Sequence, residues 1–274
     1  MARGAATYWS WFGRMLLVVL ALVPIYWIVN VSLSGPQALY KVPLDYYPNP
    51  PVLENFKAVF DVNQFPRNIA NSFAVATLTT FLTLGLGAPA AYALARLKVR
   101  RRNLILAVFL GLAIFPAIGM VGPLYVAMAR LGIINSIPSL VLPYTLFTLP
   151  LAIWILTHFF STLPMSLEDA ALVDGCTPAQ AFLRVILPLS APGLFTSAIL
   201  IFIWAWNEFL FALIMTSTPE SRTVPVALAL FAGLHELPWA TIAAATVISV
   251  MPVVALVVLF QRRIVEGLTS GVEK

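Results

Sequence analysis

The length of its apolar runs constrains this chain more than any other feature. Several reach the roughly 20 residues that a helix needs to cross a bilayer. Inside hydrocarbon only a helix or a closed barrel satisfies its own backbone. Barrel strands would alternate over about ten residues, whereas these runs are continuous. Helices are therefore expected over about 14–34, 68–95, 103–128, 139–160, 194–216 and 241–261. Composition agrees: of 274 residues, 61% are hydrophobic and 10% charged, against about 25% charged in a soluble domain. The expected fold is all-α, a polytopic membrane bundle of six transmembrane helices. The first run is too long for a signal-peptide core and lacks a small-residue cleavage site, so it reads as a retained span. Cys176 is the single cysteine, which leaves no internal disulfide framework.

Basic residues set the orientation. With the N-terminus inside, eleven of the sixteen Lys and Arg residues fall on the inner side, five of them in the cluster Arg96, Lys98, Arg100, Arg101 and Arg102. Lys41, Lys57, Arg67, Arg130 and Arg222 fall outside. Both termini are then cytoplasmic, and the net charge of +5 follows topology rather than a nucleic-acid partner. In the outer segment 35–67, Pro43, Pro48, Pro50 and Pro51 forbid a long helix at the start. Leu53, Phe56, Val59 and Phe60 then recur at helical spacing, which predicts a short helix at the interface. Trp9, Trp11 and Trp239 lie near span ends, either as interfacial anchors or packed on neighbouring helices. No low-complexity tract or internal repeat is evident.

Segment 161–193 reads as two short helices between spans. Ser166 can cap the first, with Asp169 three residues on reaching back, and Gly175 is a natural stop. Thr177 can cap the second, with Pro178 at its first position and Gln180 completing a box. Pro188 and Pro192 discourage its continuation. Ala170 and Ala171 are small enough for close approach by another protein. Spacing alone leaves two readings open: a loop packed on its own bundle, or a rigid projection that receives a partner.

Asp169-Ala170-Ala171, Gly175, Val185 and Leu187-Pro188 resemble the EAA signature of importer-type ABC permeases, with Asp169 in place of the usual Glu and Val185 in place of Ile. Asn71-Ser72, the run Ala90-Ala91-Tyr92-Ala93-Leu94-Ala95-Arg96 and the run from Ala205 to Leu213 resemble the carbohydrate branch. So does the ending from Gln261 to Gly271. Together they resemble the six-helix subunit of maltose- and trehalose-type importers, with a type I importer fold in a prokaryotic cytoplasmic membrane. The resemblance implies an N-terminal span and external segment at 1–66, a permease core at 67–264 with a coupling loop at 161–193, and a cytoplasmic tail at 265–274. It implies that Glu168, Asp169, Ala170, Ala171, Asp174, Gly175, Leu187 and Pro188 couple to an ATPase. The implied partners are a second permease subunit in a heterodimer, two ATPase subunits that bind the ATP, an extracytoplasmic sugar-binding protein, and a sugar. The tail is too polar to continue the last span. Gly267 and Gly271 disfavour an independent helix there, and in the family this tail reaches the ATPase near its nucleotide site.

No phosphate loop of the Gly-x-x-x-x-Gly-Lys-[Ser/Thr] type occurs, so no cofactor is expected in this chain. His158 and His235 are isolated, and neither a metal cluster nor a nucleophile–base pair can be assembled. The chain is therefore not expected to be an enzyme. Glu208 is the one acid inside an expected span. Such a group usually faces the bundle interior or a water-filled cavity, which places Trp204, Asn207 and Glu208 near a translocation path. Alternatively, Glu208 makes an inter-helix hydrogen bond that fixes packing. Pro89, Pro116, Pro123, Pro143, Pro150 and Pro252 either permit hinge motion or sit in their helices without that role. A stand-alone secondary transporter or channel is the competing function, though a proton-driven carrier would be expected to show more than one intramembrane acid.

Overall fold

The computed structural model describes residues 2–61, 64–97, 99–231 and 238–269, with side chains from Trp11 to Gln261. Every regular element among them is helical. Four helices are long and apolar enough to span a membrane: α1 (Ala2–Ser32), α3 (Phe65–Arg96), α6 (Ile137–Thr162) and α13 (Trp239–Thr269). Two further helix pairs qualify only when joined across a bend, which brings the total to six if each pair is one span.

The third expected helix, 103–128, is one of these pairs. It divides into α4 (Arg102–Ala113) and α5 (Ala117–Arg130), bent by 87°. Pro116 causes the division. It has no N–H to continue the ladder and pushes Phe115 away from helical geometry, and its own backbone is extended, with ψ 118°. The expected helix 194–216 is also interrupted, into α10 (Ala191–Asn207) and α11 (Leu210–Met215), with Glu208 extended between them. Pro89, Pro123, Pro143, Pro150 and Pro252 lie inside continuous helices, so of the six prolines only Pro116 marks a break. The last helix also departs from expectation. Its apolar stretch ends at Gln261, but its backbone stays helical to Thr269. Extending an existing helix needs no new nucleus, so Gly267 is tolerated there. Gly271 and the rest of the tail, like His235, lie outside the described residues.

The chain divides into two compact units, the first comprising residues 1–66 and 227–252. In it, α2 (Glu54–Asp61) is the short helix expected from the Leu53–Phe60 spacing. Asn55 Nδ2 fixes α2 to the end of α1 by donating to the carbonyls of Ser32 and Ser34, both at 2.9 Å. The proline-rich stretch before α2 makes only a short 3₁₀ turn at Ala38–Tyr40, and the Tyr26 hydroxyl pins it by donating to the Tyr46 carbonyl at 2.7 Å. Trp11 and Trp239 are both exposed.

The second unit holds residues 67–226 and the chain from Val253 on. α6 is its centre: 61% of its most apolar window is buried, against 33% for α3. Small residues let the helices close in, as membrane packing requires. A Cβ on Gly87 of α3 would lie 3.4 Å from that of Ala152 on α6, and Gly193 of α10 admits the Phe159 ring so closely that a Cβ there would stand 2.4 Å from it. Between α3 and α6 the hydroxyls of Thr83 and Thr148 share a buried hydrogen bond of 2.8 Å.

Gly193→Ala is therefore expected to destabilise the protein by about 1–3 kcal/mol through overpacking. Gly85→Ala is the control, because a Cβ there meets nothing within 4 Å. Thermal unfolding in detergent should show a lower midpoint for the first and none for the second.

Candidate functional site

The segment after α6 builds a two-helix projection. α7 (Ser166–Val173) begins on Met165, and the expected Ser166 box does not form. Met165 is already helical, and its carbonyl takes the N–H groups of Glu168 (3.0 Å) and Asp169 (3.2 Å). The helix thus starts one residue early, and the Ser166 hydroxyl finds no free N–H at the right distance along the chain. The stop is as expected. Gly175 has φ +87°, its N–H bonds the Leu172 carbonyl, and the next N–H, from Cys176, bonds that of Ala171. This is the paired closure typical of a helix ended by glycine. The second cap also forms: Thr177 Oγ1 accepts from the Gln180 N–H at 3.3 Å, and the Thr177 N–H donates to Gln180 Oε1 at 2.9 Å.

α8 (Pro178–Ala181) then leads through a π-turn, Phe182–Ile186, into α9 (Leu187–Leu189). Pro188 does not stop this helix as expected. The wide turn places one extra residue just before the ring, with the Leu187 N–H reaching back five residues to Phe182, which relieves the clash a proline makes with the preceding turn. The break comes at Ser190, with Pro192 in the first turn of α10, and the axis bends by 76°. On this projection Asp169, Ala170, Asp174, Gly175 and Pro188 are exposed, Leu187 is half-buried, and Glu168 and Ala171 face inward. Leu172, Leu183 and Val173, the last 87% exposed, add an outward apolar surface.

The interruption after α10 is a second polar feature. Glu208 Oε1 accepts from the Phe211 N–H at 3.0 Å and Oε2 from the Ala212 N–H at 3.3 Å, so the carboxyl group caps α11. The Tyr144 hydroxyl of α6 donates to the same Oε2. Trp204, 37% exposed, stands edge-on to Tyr144 with ring centroids 5.5 Å apart and stacks on Phe147. Asn207 is exposed, and its Nδ2 folds back to the Ile203 carbonyl at 2.8 Å. Glu208 thus makes the inter-helix bond that the packing alternative required, with Trp204 and Asn207 beside it on the open side.

At the other end of α3 a hydrogen-bond hub shapes the loop 216–223. Asn135, with φ +62°, accepts on Oδ1 from the Ser217 N–H (2.6 Å) and from the hydroxyls of Ser217 (3.0 Å) and Ser221 (3.2 Å). Asn71 Nδ2 donates to the carbonyls of Glu220 (2.8 Å) and Arg222 (3.0 Å), and Ser72 Oγ accepts from the Val224 N–H at 2.8 Å. Asn68, in the amide orientation that satisfies both its atoms, donates to Pro219 and Arg222.

Residues 64–270 match the family described as binding-protein-dependent transport system inner membrane component. The chain belongs to this family. The permease is 42% identical to the trehalose/maltose transport system permease protein MalG of Thermococcus litoralis, across 96% of this chain and 95% of that protein. It is equally identical to the trehalose transport system permease protein SugB of Mycobacterium tuberculosis, across the full length of both. The sulfoquinovosyl glycerol transport system permease protein SmoH of Agrobacterium fabrum also shares 42%, across 93% of this chain and 90% of that one. Among solved structures, a bacterial ABC transporter involved in import of the acidic polysaccharide alginate contains a chain of the same fold. It has TM-score 0.82 at 22% identity and covers 94% of the permease and 97% of that chain. The fold is thus that of an ABC importer permease.

Sequence reasoning missed the partners of these groups. Tyr144 has no part in the sequence reading and Tyr92 enters it only within the run Ala90–Arg96, although a buried Tyr hydroxyl usually finds a partner, and that was the signal available. Asn71 and Ser72 entered only as a resemblance, and the spacing Asn68, Asn71, Ser72 marks one polar helix face. For Glu208→Ala, the Phe211 and Ala212 N–H groups and the Tyr144 hydroxyl lose their acceptor, at about 1–3 kcal/mol for each buried group left unpaired. The thermal midpoint in detergent should drop sharply for Glu208→Ala and less for Tyr144→Phe; equal midpoints for Glu208→Ala and wild type would exclude the capping role.

Proposed function

We propose that the chain is a permease subunit of an ATP-driven importer for a sugar of the maltose or trehalose class, working with a second permease subunit, two ATPase subunits and an external sugar-binding protein. One observation carries the coupling part of this reading. The 161–193 segment is capped at Gly175 and Thr177 into a stiff projection whose exposed face is acidic, small and apolar. Asp169 and Asp174 supply charge, Ala170 and Gly175 allow close approach, and Leu172 and Val173 supply apolar area. Such a surface suits a protein cleft, and a projection stiffened at both caps can pass on a push. Family membership and the three permease relatives favour this function over a stand-alone carrier. The sugar itself is inferred from those relatives. ATP, on this reading, binds the partner ATPases and not this chain, and the chain performs no chemistry of its own. Trp204, Asn207 and Glu208 line part of the path.

The assay is co-purification with an ATPase encoded alongside, followed by uptake of radiolabelled maltose and trehalose into proteoliposomes. Gly175→Val forces a β-branched residue into a positive-φ position. It should sever uptake from ATP hydrolysis at normal expression, and normal uptake by this variant would refute the coupling surface.

Orientation follows from the basic cluster Arg96–Arg102, with both termini in the cytoplasm. A cysteine introduced at Ser217 should react with a membrane-impermeant maleimide from outside, and Cys176 only after the membrane is opened. The opposite labelling pattern would reverse the topology.

A further inference from the structure

Glu168 belongs to the coupling segment yet faces away from its exposed surface. It is 9% exposed, and its Oε1 accepts from the hydroxyl of Tyr92 on α3. Its Oε2 is buried with no hydrogen-bond partner among the described residues. Tyr92 is held in place by two rings. Phe160 of α6 meets it edge-on at 6.2 Å and 89°, and Phe182, the first residue of the π-turn, lies at 4.6 Å and 39°. Phe160 and Phe182 close the triangle at 6.1 Å. One helical turn beyond Tyr92, Arg96 donates from Nη2 to the Leu163 carbonyl at 2.8 Å and from Nη1 to Met165 Sδ, on the stretch that leads into α7.

Tyr92 and Arg96 are four residues apart and share one face of α3. That face grips the entry to α7, α7 itself and the start of the π-turn. α6 is continuous in chain with the projection, whereas α3 holds it through these side chains and through the apolar cluster that Ala88, Ala91 and Leu94 share with Phe182 and Ile186. A shielded hydrogen bond to a carboxylate is strong and directional, and unmaking it strands buried polar atoms. Displacing α7 therefore either carries α3 with it or breaks this bond.

We propose that Tyr92 is a positioning residue for coupling: through Glu168 it ties the displacement of α7 to α3. The proposal rests on the coupling role given above. It divides the labour of two neighbouring acids, with Asp169 facing the ATPase and Glu168 facing the membrane helices. It also gives a physical task to the Tyr of the Ala90–Arg96 run.

The experiment uses the whole transporter in proteoliposomes and reads maltose or trehalose moved per ATP hydrolysed, beside the thermal midpoint of the complex. Tyr92→Phe keeps the ring cluster and removes the hydroxyl, and should lower the ratio several-fold while ATP hydrolysis continues. Glu168→Gln keeps an acceptor oxygen for Tyr92 and should retain most of the ratio. Tyr92→Phe combined with Glu168→Leu removes both polar groups and should recover the midpoint but not the ratio. Recovery of the ratio together with the midpoint would show a bond that only stabilises, and would overturn the proposal. Gly175→Val separates the two readings. If it uncouples and Tyr92→Phe does not, this proposal fails alone; if neither uncouples, the coupling reading fails with it.

Discussion

Hydrocarbon offers no hydrogen bonds, so every place where a span breaks must be repaired from within the protein. This requirement organises the second unit. Where α10 ends, the carboxyl group of Glu208 takes the first free N–H groups of α11, and Tyr144 ties that repair to α6. Where α9 turns into α10, the ladder widens into a π-turn before Pro188, and the Ser190 N–H still reaches Ile186 at 3.0 Å. These two interruptions are therefore ordered features, one closed by a side chain and the other by a turn.

α6 takes part in the first of these repairs and in the packing around it. It carries Thr148 toward Thr83 of α3, Tyr144 toward Glu208, and Phe160 toward Tyr92 and Phe182. These residues lie on its buried face, while Leu142, Leu146, Leu151 and Trp154 stay exposed on another. Its two internal prolines, Pro143 and Pro150, sit in an unbroken helix, and the Thr148 hydroxyl donates a hydrogen bond to the Tyr144 carbonyl one turn back at 2.8 Å. Polar side chains inside the bundle thus serve the backbone and join helices at once.

The projection at 161–193 obeys a different rule, because its outward face need not meet hydrocarbon. Its rigidity comes from local turn chemistry: a glycine closure, a Thr–Gln box and a proline in the first turn. Its attachment comes from the buried Tyr92–Glu168 pair and the three-ring cluster. Local caps give the projection its shape, and tertiary contacts decide what moves with it.

The apolar run lengths by themselves determined that the chain spans a membrane as helices, since the thickness of hydrocarbon sets a minimum length that few other folds need. Local signals with a short-range cause were equally legible: the Gly175 stop, the Thr177–Gln180 box and the short helix after the proline-rich stretch. The EAA-like run and its companion motifs identified the family, which the comparisons bear out. What sequence could not decide depends on which groups meet across space. Ser166 does not cap because Met165 is already helical, Pro188 does not stop its helix because a π-turn precedes it, and Pro116 breaks a span while five other prolines do not. Glu168 and Asp169 are neighbours of the same charge, yet one is buried on Tyr92 and the other exposed. A helix face turns inward only against a particular neighbour, and no spacing along a single chain names that neighbour.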